Sequence, residues 1–419
     1  MIRVSVSNAY DAPKMIPSPL YQRLESCVAE QANRLHDNVA RAARPASGDT
    51  PPWVPAVAWM AYGPDEGDAC VQIAADLGSP AAEYAVIRRG VGVMDGCHRG
   101  TLRVRGTDRL SFFQRMVTQH VQDMKPGSVR ESFWLNRKGR VQADLLLAEF
   151  SDVMLIDVDR FAAAVTAAEL KEFVFGEDMH IEDAGQSIGR LSLHGSAVLS
   201  ILMTLGLEQG ALAENLSCAA MQLGAHAIFL ARRDQAGILG VELFVPAGSE
   251  PEVFDAVLAA RGEGSSPIRP IGWHAFNVAR IEGGTPLFRV DFGQSALPHE
   301  TGLLSKRVSF KKGCYLGQEV VARMESLGKP KQKLVALRME QDVLPVCGAV
   351  VHVEAADGEP IGTITSSAPS PMLSNACVAF ASIKNAWCEP GHRVRVAAEG
   401  AWASAVVQPT LRFLPGGTP

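Results

Sequence analysis

The residues most able to do chemistry lie in one run, Phe310-Lys311-Lys312-Gly313-Cys314-Tyr315-Leu316-Gly317-Gln318-Glu319-Val320-Val321-Ala322-Arg323. Gly313 and Gly317 permit a tight backbone on either side of Cys314. Gln318 to Met324 then reads as a short helix whose amide end points back toward the sulfur. Lys306, Arg307, Lys311 and Lys312 lie just upstream. Helix amides and cations both favour thiolate over thiol, so Cys314 is the candidate reactive sulfur. Lys312, Gln318 and Glu319 are candidate contacts to a polar ligand. Arg323, one helical turn beyond Glu319, either pairs with it or meets an anionic ligand. The plain alternative is a buried, inert cysteine in a glycine turn.

The elements that must position this run belong to a long chain. It has 419 residues, 47% of them hydrophobic, which is too much for one core and implies two or three domains. A net charge of -5 argues against a nucleic-acid coat or an anionic-membrane binder. The eight cysteines form no C-x-x-C pair and no zinc-ligand spacing, which predicts reduced thiols in a cytoplasmic setting and no bound metal. No signal peptide and no apolar run of membrane-spanning length is present.

Residues 1–80 read as an extension: an amphipathic helix over 18–43, capped by Ser18 and opened by Pro19, then a Pro- and Gly-containing linker over 45–55. Residues 81–328 mix helices and strands without regular alternation, which predicts an α+β body and not a doubly wound sheet. Residues 329–415 read as six short strands divided by turns such as Asp357-Gly358 and Glu399-Gly400. That pattern predicts a small antiparallel β-barrel.

The run Lys312-Gly313-Cys314-Tyr315-Leu316-Gly317-Gln318-Glu319 resembles the K-G-C-Y-x-G-Q-E signature of the YgfZ family. The stretch Ala279-Arg280-Ile281-Glu282-Gly283-Gly284-Thr285-Pro286 resembles the A-R-I-E-A-G-x-P of that family. Val104-Arg105-Gly106-Thr107-Asp108, Leu135–Leu145 and Leu193-His194-Gly195 resemble elements of the aminomethyltransferase fold. The likeness spans roughly residues 80–412. It implies two intertwined α+β domains around a funnel that binds tetrahydrofolate, with a C-terminal barrel. It also implies an auxiliary role in iron–sulfur cluster assembly or repair, including support of tRNA thiomethylating enzymes. Iron–sulfur assembly proteins or client iron–sulfur enzymes are then the expected partners. No direct nucleic-acid or membrane contact is expected.

A folate needs a cation for its glutamate carboxylates and a polar reader for its pterin edge. Arg280 and Glu282 are candidates for these roles, each with a solvated ion pair as the alternative. Trp134 is a candidate to stack on the pterin or to fill the core. Asp144 is a candidate contact or a partner of backbone amides, and His98 reads as structural. The transferases carry two adjacent carboxylates where this chain has Ala143 and Asp144, the first of them beside the reacting folate nitrogen. Their loss at Ala143 argues against glycine cleavage. The alternative is a folate-dependent aminomethyl- or methyltransferase, so enzymatic activity stays open at this stage. A transient iron–sulfur cluster shared with a partner also stays open, since no clustered set of four ligands occurs in one subunit.

Overall fold

The computed structural model describes residues 14–42, 56–63, 69–260, 266–354 and 359–414. The linker over 45–55 and the Asp357-Gly358 turn lie outside the described residues, as do the side chains of Leu35 and Val39. Two sheets form the body. The first orders Val129–Leu135, Val141–Glu149, Met154–Asp159, Arg99–Arg105 and His180–Asp183. The second orders Cys218–Leu223, His226–Arg232, Gly240–Pro246, Ile188–His194, Val91–Asp95 and Ile268–Pro270.

Strand alternation decides what each face of the first sheet meets. Leu102, Val104, Leu145, Leu147 and Ile156 turn outward under the helices Arg109–Met116 and Arg160–Lys171. Their neighbours turn inward, toward the second sheet. Val129, Leu146, Ala148 and Leu155 meet Cys218, Ala231 and Phe244 there. That apolar seam closes one end of the space between the sheets; the other end is polar.

The predicted N-terminal helix forms as Tyr21–Ala42. Leu20, Leu24, Cys27 and Val28 are buried in the core of the second sheet, so the segment is welded to the body. The strand Ala69–Asp76, which the alternation of the sequence did not suggest, pairs in parallel with Lys14–Ile16 and antiparallel with Ala58–Tyr62. The tail closes into a six-stranded barrel of Gln332–Met339, Val350–Val353, Pro360–Ser370, Ala376–Lys384, Arg393–Ala398 and Ala401–Val407. Each of these strands overlaps one of the six predicted.

Candidate functional site

The loop bearing Cys314 is pinned at several points. Gly317 has φ +81, and a Cβ there would sit 2.6 Å from the Asn136 carbonyl oxygen. Gly139, φ +70, packs against Val320, where a Cβ would lie 2.8 Å from its Cβ. The loop thus lies on the hairpin tip Asn136–Gly139, an approach only glycine permits on both sides. Upstream, the buried Lys312 ammonium donates to the carbonyls of Val117 at 2.5 Å and Gln119 at 2.9 Å. It also lies 5.2 Å from the centre of the Tyr315 ring. Burial pulls the Lys312 pKa down to about 8 and pushes the Tyr315 hydroxyl up to about 12. Lys312 is therefore a clamp that holds the loop, not a free ligand contact.

Cys314 is exposed, which sets aside the buried, inert cysteine as its description. Among the described residues nothing hydrogen-bonds its sulfur. The helix does begin at Gln318, but the Gln318 amide donates to Tyr315 oxygen, 3.1 Å away, and not to the thiol. Glu319 and Arg323 are both exposed and do not pair with each other.

The polar end of the space between the sheets holds a charge-balanced network. Arg307 donates from Nε to Asp144 Oδ1 at 2.7 Å and from Nη1 to Glu131. Arg233 donates to Glu131 Oε1 at 2.7 Å and lies 3.6 Å from Asp144 Oδ2. Arg190 joins Asp157 at 2.7 Å to Glu242 at 2.9 Å, and Arg99 forks onto Asp157 at 2.6 and 3.0 Å. Burial would raise the Asp157 carboxyl, but the guanidiniums of Arg99, Arg190 and Arg233 outweigh it and hold the pKa below its ordinary value. Four guanidiniums thus meet four carboxylates, as burial of charge demands.

Beside this network lies an enclosed cavity of about 20 Å³, room for about one water. Tyr62, His98, Ser192, His194, Trp273 and Phe276 are among its walls. Burial lowers the pKa of His98 to about 3 and that of His194 to about 4, so both imidazoles are neutral near pH 7. The Nδ1 of each is buried without a partner. His98, expected to be structural only, therefore faces the centre of the fold.

Several sequence expectations need correction. Arg280 is 0% exposed, and its guanidinium is spent on Asp291 at 2.7 Å, Ser366 at 2.7 Å, Asn277 at 3.0 Å and the Thr285 carbonyl at 3.2 Å. Ser366 belongs to the barrel, so Arg280 joins barrel to body and leaves no fork for a folate tail. Glu282 accepts from Tyr84 and Arg88 of the body at 2.5 Å and from Ser370 of the barrel at 2.5 Å, which is the same role. Trp134 points outward, donating to Glu169 at 3.0 Å and packing edge-on against Phe173, so it is core and not a stacking platform.

Ala143 pairs across from Trp134 and shares its outward face, while Asp144 pairs with Phe133 and turns inward. A carboxylate at 143 would enter the helix-covered core, not the space between the sheets. Of these two positions the inward one is 144, where Asp144 stands.

The network was missed from sequence, although a signal was present. Arg190 and Glu242 each stand as the one formal charge inside an apolar strand, Asp157 lies mid-strand in another, and a charge on the buried face of a strand must be paired.

Two packed sheets, one antiparallel and one mixed, followed by a closed barrel give the aminomethyltransferase fold. The family model for the GCVT N-terminal domain matches residues 72–312, and that for the glycine cleavage T-protein C-terminal barrel domain matches residues 332–413. The chain belongs to this family. It is 27% identical over 330 residues to an aminomethyltransferase of Geobacillus kaustophilus, covering 78% of this chain and 88% of that one. It is 28% identical over 321 residues to an aminomethyltransferase of Bacillus velezensis, covering 75% and 84%. The crystal structure of glycine cleavage system aminomethyltransferase T from Bartonella henselae superposes with a TM-score of 0.76 at 20% identity, over 96% of this chain and 98% of that one. No helix among the described residues is long and apolar enough to cross a membrane.

Proposed function

We propose that this chain is a tetrahydrofolate-binding auxiliary protein of YgfZ type that supports iron–sulfur cluster assembly or repair through Cys314. The observation that carries the reading is the placement of Cys314, an exposed thiol on a loop held by glycine contacts and by the buried Lys312 clamp. A thiol that filled a core would be enclosed; this one is presented. Folate would enter the polar end of the space between the sheets, with Asp144 as its carboxylate contact. The cavity beside the network has room for about one water, so folate binding there would require its walls to open.

A second reading has its own support. The relatives above are named aminomethyltransferases, and a carboxylate, Asp144, stands on the inward face of its strand. On that reading the chain transfers an aminomethyl or methyl group to tetrahydrofolate. Arg307 donates to Asp144 and Arg233 lies 3.6 Å from it, so a ligand that uses this carboxylate must displace one of them.

Anaerobic calorimetric titration with tetrahydrofolate, on wild type and Cys314→Ala, tests both readings together with an assay for one-carbon product. Equal binding in both proteins, without product, is the expected result. Turnover that survives Cys314→Ala selects the transferase, and no binding to wild type sinks both readings.

A further inference from the structure

The segments that carry and support the Cys314 loop hold more exposed cations than carboxylates. Arg137 and Lys138 stand exposed at the hairpin tip on which Gly317 rests. Lys306 and Lys311 stand exposed just before the cysteine, in a segment tied by Lys312 and by the bond from Gln119 Nε2 to the Lys306 carbonyl, 3.2 Å. Arg323 and Lys329 stand exposed on and just after the helix that follows. None of these six has an ion-pair partner among the described residues. Only Glu319 and Glu325 answer them on the same helix, and Glu325 already contacts His299 at 3.2 Å. The nearby Asp123 is shared between His120 at 3.6 Å and Arg130 at 3.7 Å. This excess occurs in a chain whose net charge is -5.

The same segments carry exposed apolar side chains. Phe310 is 46% exposed and Leu327 is 86% exposed. Apolar anchors within a charged rim are the anatomy of a protein interface, and unpaired cations there select an acidic partner. We propose that this face docks a protein partner through a segment rich in carboxylates and carrying apolar side chains between them. A short acidic segment meets only the basic face, whereas a long nucleic acid would also run over the acidic remainder of the chain. The inference stands on charge and exposure, and needs neither folate binding nor chemistry at Cys314.

The test uses the full-length protein and three fluorescent probes: a peptide alternating Glu and Leu, its Gln-for-Glu counterpart, and a single-stranded RNA of the same formal charge. Anisotropy gives affinity. Alkylation by neutral iodoacetamide, read on the Cys314-bearing peptide by mass spectrometry, reports occupancy at this face. The Glu peptide should bind, should slow alkylation of Cys314, and should weaken roughly tenfold between low and physiological salt. The triple variant Lys138→Glu, Lys311→Glu, Lys329→Glu should lose the binding. Lys311→Glu alone, with the fold checked by circular dichroism, should weaken it in the same direction if the triple variant does not fold. Equal binding of the Gln peptide, or tighter binding of the RNA, overturns the proposal.

Discussion

The centre of the body and the loop around Cys314 handle charge in opposite ways. Between the sheets, Arg99, Arg190, Arg233 and Arg307 each meet a carboxylate within an enclosed space. Around Cys314, six exposed cations meet almost nothing. Desolvation explains the first arrangement, because a buried charge must be neutralised where it lies. It does not explain the second, because exposed cations are already solvated and need no partner to fold. Unneutralised surface charge is what a second molecule can use. Arg307 sits where the two regions join, since Thr118 Oγ1 donates to its carbonyl at 2.6 Å and the Cys314 loop begins a few residues later.

The comparison breaks most readily at Arg307. Arg307→Ala leaves Asp144 with the more distant Arg233 alone and strips one cation from Glu131. Breaking a buried pair from one side costs about 3–5 kcal/mol, and urea denaturation should show a loss of that size. A loss below about 1 kcal/mol would mean that the centre is open to water and the two regions are alike.

Next in size is the acid response of the buried histidines. His98 has a folded-state pKa of about 3 against an ordinary 6.5, so the unfolded chain binds the proton first as pH falls. Stability from this group is complete above pH 6.5 and is lost as pH drops toward 3. Asp95 works the other way: burial raises its pKa to about 6, so protonation near pH 6 favours the fold. The wild-type curve therefore mixes opposing slopes, and the informative quantity is the difference between proteins. Between pH 6.5 and 4, His98→Asn should lose less stability than wild type by roughly 3 kcal/mol, at about 1.4 kcal/mol per pH unit. Parallel curves for the two proteins would show that His98 is hydrated and that the cavity opens to solvent.

Much of this architecture could be read before the structure. Six strand-like runs divided by turns gave the barrel, and the eight-residue motif gave the loop, because both signals are local. What escaped was directional or long-range. Trp134 and Ala143 share a face only because of the register Trp134↔Ala143, and a strand read in isolation does not say which face looks inward. Arg280 and Glu282 look like ligand residues in the chain, yet their partners Ser366 and Ser370 lie more than eighty positions away. The strand Ala69–Asp76 is buried on both faces for most of its length and shows no alternation to find.

A smaller effect should separate the position of the loop from its chemistry. Gly317→Ala places a Cβ 2.6 Å from the Asn136 carbonyl and holds alanine at φ +81. The left-handed conformation alone costs about 1–2 kcal/mol, so the loop should lift from the hairpin before the body unfolds. Hydrogen exchange should then speed up over residues 313–320 while the strand Val141–Glu149 stays protected. Uniform loss of protection in both would mean that the loop and the sheet unfold as one unit.

The smallest change in stability belongs to the residue with the largest proposed role. Cys314 is exposed and nothing among the described residues bonds its sulfur, so Cys314→Ala should shift stability by no more than about 0.5 kcal/mol. Removing buried Cys218, whose Sγ lies 3.2 Å from the Glu149 carbonyl, should cost more because it opens a cavity. If Cys314→Ala keeps its stability and its folate affinity but loses activity toward iron–sulfur client enzymes, the thiol works through presentation alone. If Cys314→Ala is as destabilising as Cys218→Ala, the loop is part of the core, and the division between a neutralised centre and an available surface fails at the place where it matters most.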